Sequence, residues 1–292
     1  MAKRDGRGGV LLRADRVYYA EGISPRFHRV RHANVKFYGS GIGSFDFEKL
    51  STLKVRVLDV SYNDGRLFFP NLLLALPLFK KLTLLKLKQT NFFNMAPEAM
   101  VSALAETNIT ELDLTGNFIG GSTVSLRGLK LRSLRVSNTM IGSAAPLDGL
   151  LVEKLEFLDL SHNDLGSRSG EKKLEVLGEY LKQSTTLFSL NMSYNCLNAQ
   201  RNDVILKFIE SLGVLESKLD GPSNHDFTGN FSTTSTDVSA ALESFHQRRT
   251  KRDDRRRTLC AMIFVSEQAG NIWHELLEKH GGLELFKLIF HY

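Results

Sequence analysis

Cysteine is nearly absent: the 292 residues hold two, Cys196 and Cys260. Two thiols cannot build a disulfide framework, which points to a reducing, intracellular compartment. Long apolar runs are missing too. The longest, residues 72–76 continued as Pro77, Leu78 and Phe79, falls far short of the roughly 20 residues that span a bilayer. The first residues, MAKRDGRGGVLL, carry charge without a sustained apolar stretch and make a poor secretory signal. Their arginines suit a mitochondrial presequence, but Asp5, Asp15 and Glu21 interrupt it. The sequons at Asn108, Asn191 and Asn230 therefore read as accidental. The expected location is cytoplasmic and not secreted, with cytoskeletal or nuclear placement as alternatives.

The residue sets that carry catalysis are also missing. No serine sits in a G-x-S-x-G turn, and neither cysteine has a recognisable histidine partner in sequence. His28 and His32 could share a helix face, but without nearby cysteines or paired carboxylates they make no metal site. Residues 39–44 (GSGIGS) follow a strand-like segment and imitate a nucleotide loop. The third glycine of that fingerprint would fall at residue 44, which is Ser44. Moreover, Ile42-Gly43 recurs as Ile119-Gly120, Ile141-Gly142 and Leu165-Gly166, so the glycines belong to a repeat. The expectation is a protein that is not an enzyme, with no cofactor and no metal.

What the chain does have is an eleven-residue pattern that recurs seven times. Apolar residues fall at its first, fourth and sixth positions, a polar Asn, Thr or Ser at the ninth, and usually another apolar residue at the eleventh. The clearest copies are residues 155–165 (LEFLDLSHNDL), 187–197 (LFSLNMSYNCL) and 109–119 (ITELDLTGNFI). Residues 55–65, 82–92 and 131–141 follow with single departures, and 32–42 is a worn first copy. The ninth column reads Ser40, Asn63, Thr90, Asn117, Thr139, Asn163, Asn195, at spacings of 23, 27, 27, 22, 24 and 32 residues. Such a unit cannot bury its apolar side alone and must stack on its neighbours. Positions four and six point one way from a short strand into the core, and the ninth side chain can satisfy backbone groups where the chain turns off. The longer units leave room for helices. One should begin at Pro97 with Met100, Val101 and Leu104 inward, one should cover residues 171–182 with Leu174, Leu177 and Leu181, and one should follow Asn202 with Ile205, Phe208, Ile209 and Leu212. The shorter units should cross by irregular turns.

This pattern resembles the leucine-rich repeat superfamily, whose consensus L-x-x-L-x-L-x-x-N-x-L is met in order at residues 155–165 and 187–197. The long units are similar to the ribonuclease-inhibitor-like intracellular subclass. The resemblance implies an α/β solenoid: a leucine-rich repeat horseshoe or arc with a short parallel β-sheet on its concave face, helices and irregular turns on its convex face, and a helical C-terminal extension. The expected organisation is a basic N-terminal extension or cap over 1–31, about seven repeats over 32–212, a Gly/Ser/Thr/Asn-rich loop or linker over 213–237, and a helical cap or extension over 238–292. That last segment either caps the solenoid or binds a partner.

The formal net charge of +6 sits at the ends. Residues 1–31 hold eight Lys or Arg against three acids, and residues 248–257 (RRTKRDDRRR) hold seven against two. The second run comprises Arg248, Arg249, Lys251, Arg252, Arg255, Arg256 and Arg257, interrupted by Asp253 and Asp254. It reads as a solvated helix face or linker, as a localisation signal or nucleic-acid patch, or as a contact for an acidic surface.

Within the repeats, the fifth column alternates in sign as Lys36, Asp59, Lys86, Asp113, Arg135, Asp159 and ends on Asn191. Neighbours in such a ladder can pair, which leaves a face that needs no ligand. The C-terminal end differs: Phe157 and Phe188 on adjacent strands, with His162 and Tyr194 in the eighth column, make an aromatic set suited to an interface. Candidate partner-binding residues are thus Phe157, Asp159, His162, Phe188, Asn191 and Tyr194, unless the C-terminal segment folds over them. Val57, Leu84 and Tyr62 form a smaller apolar set near the other end. The resemblance implies a non-enzymatic protein–protein interaction scaffold or adaptor of unidentified partner. The alternatives are a GTPase-activating protein of the Ran-regulator type and an RNA- or ribosome-associated protein anchored by its basic termini.

Overall fold

A computed structural model describes residues 2–4, 10–14, 33–37, 42, 45–51, 53–91, 97–118, 125–141, 147–167, 170–219, 223–230 and 235–269, with side chains from Asn34 to Asp254. The chain divides into two compact units, Met1–Ser239 and Ala240–Tyr292. The first unit is an α/β solenoid built on one ten-stranded sheet in strict chain order. Strand β1 (Ala2–Arg4) pairs antiparallel with β2 (Val10–Ala14). From β2 onward every pairing is parallel, through β3 (Ala33–Phe37), β4 (Val55–Asp59), β5 (Leu84–Lys86), β6 (Glu111–Asp113), β7 (Ser133–Arg135), β8 (Phe157–Asp159), β9 (Ser189–Asn191) and β10 (Asn224–Asp226). The stretch expected as an N-terminal extension thus contributes two strands. The glycine cluster at 39–44, apart from Ile42, lies outside the described residues, as do His28, His32 and residues 270–292.

The core follows the repeat. Leu58 and Val60, Leu85 and Leu87, Leu112 and Leu114, Leu134 and Val136, Leu158 and Leu160, and Leu190 and Met192 fill positions four and six and are all fully buried. Each such side chain contributes about 1.5–3 kcal/mol by leaving water. Helices stack behind the strands: α1 (Gly65–Ala75), α2 (Pro97–Ala105), α3 (Glu171–Gln183) and α4 (Asn202–Lys218). The inward residues are those the spacing predicts, with Met100, Leu104, Leu174, Leu177, Leu181, Ile205, Phe208, Ile209 and Leu212 buried, while Val101 is half-buried. The unit between β7 and β8 crosses by a short 3-10 turn at Leu147–Leu150. At the Leu-Gly step, a Cβ on Gly166 would stand 1.9 Å from the Cys196 carbonyl oxygen. The next turn passes where a side chain would be.

The ninth column stitches the units. Asn163 donates through Nδ2 to Val136 O (2.7 Å) in the preceding unit and to Leu160 O (3.0 Å) in its own. Its Oδ1 accepts from the Thr139 amide (2.8 Å) and hydroxyl (2.9 Å), and its own N–H donates to Asn195 Oδ1 (2.9 Å). Asn63, Asn117, Asn195 and Asn230 place Nδ2 in the same way, on the carbonyl of the preceding unit and on their own.

Asn230 belongs to a copy that the sequence reading did not include. Residues 213–237 are expected as a loop or linker, but α4 runs on to Lys218 and β10 pairs with β9 in register, Asn224 opposite Ser189. The copy is disguised because its fourth position, elsewhere leucine or valine, is His225. That side chain is fully buried, with Nε2 2.8 Å from the Glu216 carboxylate of α4. The Glu216 carboxylate beside it replaces the apolar contact that the pattern requires.

Helix α5 (Thr236–Ala269) begins at the end of the first unit and continues into the second.

Candidate functional site

The sheet face opposite the helices carries positions three, five and seven. The register places Lys36 opposite Asp59, Asp59 opposite Lys86, Lys86 opposite Asp113, Asp113 opposite Arg135 and Arg135 opposite Asp159. Only part of that ladder is bonded as charge alone suggests. Lys36 reaches Asp59 at 3.6 Å, but Asp113 is met at 3.1 Å by Lys88 of the seventh column. Arg135 lies over the Phe157 ring, 4.5 Å from its centroid, and donates to Ser133 Oγ. The acids are drawn down by a second task. Asp59, Asp113, Asp159, Asn191 and Asp226 each accept through Oδ1 from the N–H two residues on, at 2.9–3.2 Å, closing the turn that leaves the strand. Asp159 and Asn191 also hold the hydroxyls of Ser161 and Ser193 at 2.7 and 2.8 Å.

Beyond this turn the backbone enters the left-handed region in every unit whose eighth position is described. The eighth column, Tyr62, Gln89, Gly116, Asn138, His162, Tyr194 and Gly229, has φ between 48 and 73°. The cause is hydrogen bonding across units: the eighth N–H donates to the seventh carbonyl of the next unit, as in Tyr62 to Lys88 O, His162 to Ser193 O and Tyr194 to Thr228 O. In the tenth column Asn91, Met140, Asp164 and Cys196 are left-handed as well. Glycine adopts this conformation freely, while a bulky L-residue is disfavoured there by roughly 1–2 kcal/mol. Gly116 and Gly229 fill the same role as Tyr62, His162 and Tyr194 without that cost.

These two columns form a rim along the strand ends, and much of the exposed apolar surface gathers on it. Tyr62 is 42%, Phe118 51%, Met140 53% and Tyr194 51% exposed. The rings of His162 and Tyr194 stack at 4.6 Å, 13° from parallel. A Cβ on Gly229 would lie 2.5 Å from the Tyr194 ring, so this ring is held between an imidazole and bare backbone. Asp64 also belongs to the tenth column, and the hydrogen-bonding Arg66 guanidinium holds its carboxyl below the usual carboxylate range.

The structure divides the six residues singled out from sequence. His162 and Tyr194 meet on the rim. Phe157 opposes Ser189, not Phe188, and lies half-buried under Arg135. Phe188 is 43% exposed at the opposite, strand-start edge, where its N–H donates to Glu156 O. Strand β9 and the turn after it lie between Phe188 and Tyr194. Asp159 and Asn191 hold the turns between. Val57 and Leu84 are register partners, both half-buried. Phe118 and Met140 are additions from the structure. Their signal is an apolar residue at the tenth position, where other copies carry Asp64, Asn91 and Asp164.

A family profile described as leucine-rich repeat matches residues 153–172, the span that contains β8, the Asp159 turn, His162 and Asn163. Its geometry recurs in the units around it. The matched unit is a leucine-rich repeat. No curated protein matches the sequence. Among solved structures, a leucine-rich repeat-containing protein, LegL7 from Legionella pneumophila, is 16% identical, over 80% of this chain and 97% of that one, with a TM-score of 0.43. Among the described residues, no helix is long and apolar enough to cross a membrane, and no cluster of three potential metal ligands occurs.

Proposed function

We propose that this leucine-rich repeat chain is an intracellular, non-enzymatic adaptor of the ribonuclease-inhibitor-like kind that docks a partner protein along the strand-end rim. The observation that carries this reading is the presence of exposed Tyr62, His162 and Tyr194 at left-handed positions that glycine fills elsewhere in the same column. Large exposed side chains kept on a disfavoured backbone are explained by what they contact. The His162–Tyr194 stack is the centre of the surface, with Phe118 and Met140 along it. Phe157 and Phe188 extend it across the sheet, and Asp159 and Asn191 fix the turns behind it.

The test exploits the conformation. Tyr194→Gly and Tyr62→Gly remove the rings and relieve the backbone together, so stability is expected to stay within about 1 kcal/mol of the parent. Affinity for proteins recovered with the tagged full-length chain is expected to fall about thirtyfold or more for Tyr194→Gly, the loss of one hot-spot residue. Partner recovery that survives both substitutions unchanged would rule the rim out. A loss with Phe188→Asp alone would move the site to the opposite edge.

A further inference from the structure

A helix on the outside of a solenoid turns its polar side to water. Helix α3 does so with Lys172, Glu175 and Glu179, and α4 with Asp203, Lys207 and Glu210, all exposed. Helix α1 does not. Residues 67–79 carry no charge at all. The inner side of α1 is filled by Phe68, Phe69, Leu72 and Ala75, all buried. Its outer side is apolar as well: Leu67 is 58% and Leu74 70% exposed, and Leu78, in the 3-10 turn that follows, is 44% exposed. A step of seven residues puts Leu67 and Leu74 on one line of the helix, with exposed Pro70 between them, and Leu78 continues it one turn on. An apolar stripe unbroken by charge marks a contact surface.

The charges at its two ends select the occupant. Past the stripe stand Lys80 and Lys81, both exposed and, among the described residues, in no ion pair. At its start Arg66 donates to Asp64 at 2.5 Å. The 3-10 turn Phe47–Leu50 lies beside that start, with the Phe47 ring 6.1 Å from the Phe68 ring, and brings Asp46, Glu48 and Lys49. One end therefore holds three acids against two cations, and the other holds cations alone. Such a surface matches a copy of itself turned end for end. With Leu67 opposite Leu78 across a two-fold axis, Lys80 and Lys81 reach the acidic end of the other copy, whereas a parallel alignment sets like charges together. We propose that the Leu67–Leu74–Leu78 stripe of α1 is an isologous contact at which two copies of this chain pair, helix antiparallel to helix. Three part-exposed leucines fall well below the roughly 800 Å² that each partner gives a stable interface, so the pair is weak, with a dissociation constant on the order of 10–100 µM.

The test is sedimentation velocity of the full-length protein from about 1 to about 300 µM, a range that brackets a weak pair. The average mass is expected to rise toward that of a dimer and stop there, because a two-fold contact closes on itself. Leu74→Glu, which sets two carboxylates near the axis, is expected to weaken association at least about thirtyfold, and Lys80→Glu/Lys81→Glu about tenfold. Val176→Glu makes the same kind of change on the outer side of α3, where Val176 is 37% exposed, and is expected to leave association within about twofold. All these positions are exposed, so each variant should melt like the parent. The proposal is overturned by a parent that stays monomeric across the range, by growth beyond the dimer, or by association that Leu74→Glu or the lysine reversal leaves unchanged. Equal loss with Val176→Glu would overturn it too.

Discussion

Asn163→Ala is expected to lower the unfolding free energy by about 4 kcal/mol or more, measured by urea denaturation. The side chain is almost fully buried and bonds two units, its own and the preceding one. Its removal leaves the Thr139 amide without its acceptor and takes one donor each from the Val136 and Leu160 carbonyls, which keep the Thr139 hydroxyl and Asn195 Nδ2. A stranded buried amide costs about 1–3 kcal/mol, and the other lost bonds add about 1 kcal/mol each. Thr139→Ala is the informative contrast. It deletes one hydroxyl but leaves the Thr139 amide bonded to Asn163 Oδ1, so its cost should be near 1–2 kcal/mol. Equal costs for the two would mean that the amide ladder is not what holds the units.

Ending the chain at Gly213 is expected to destabilise the solenoid by a similar amount relative to a chain ending at Ser239. The cut removes Leu215, Glu216, β10 and Asn230. Several N–H groups then lose acceptors, among them Met192 to Asp226 O (2.8 Å), Tyr194 to Thr228 O (2.8 Å), Asn195 to Asn230 Oδ1 (2.7 Å) and Asn198 to Asn230 O (3.1 Å). The Met192 carbonyl loses the Asn230 amide as well. At about 1 kcal/mol for each bond, with exposed core added, the shorter chain should unfold at a clearly lower urea concentration. Matching midpoints for the two chains would show that the last copy hangs on the solenoid without supporting it.

The scaffold was largely legible in the residues because two periods write it. Leu158 and Leu160 at positions four and six, and Asn163 at nine, suffice to give a strand, a core side and a stitched turn. Helices α2, α3 and α4 follow from Pro97, from the leucine stripe of α3 and from the spacing after Asn202. The last copy was hidden because His225 breaks the apolar rule through a buried partner in α4, which periodicity does not reveal. The site was less legible. Phe157 and Phe188 look like register partners until the pairing shows them one position apart, Phe157 opposite Ser189. Asp159 looks like a free concave charge until its oxygen is found closing a turn. The left-handed columns are invisible in composition, since Tyr62 and Tyr194 carry none of the glycine or asparagine signals of such a backbone. They arise from pairing between units, which belongs to the stack and not to any one copy.

The ninth column also sets where the solenoid can come apart. From Thr139 to Asn230 each amide is gripped by the next asparagine without a break, through Asn163 and Asn195. Thr90 is likewise held by Asn117. The Asn117 amide donates to Leu114 O of its own unit at 3.2 Å. In native-state hydrogen exchange, the amides of Thr139, Asn163 and Asn195 should open as one cooperative block, with a free energy distinct from that of Thr90.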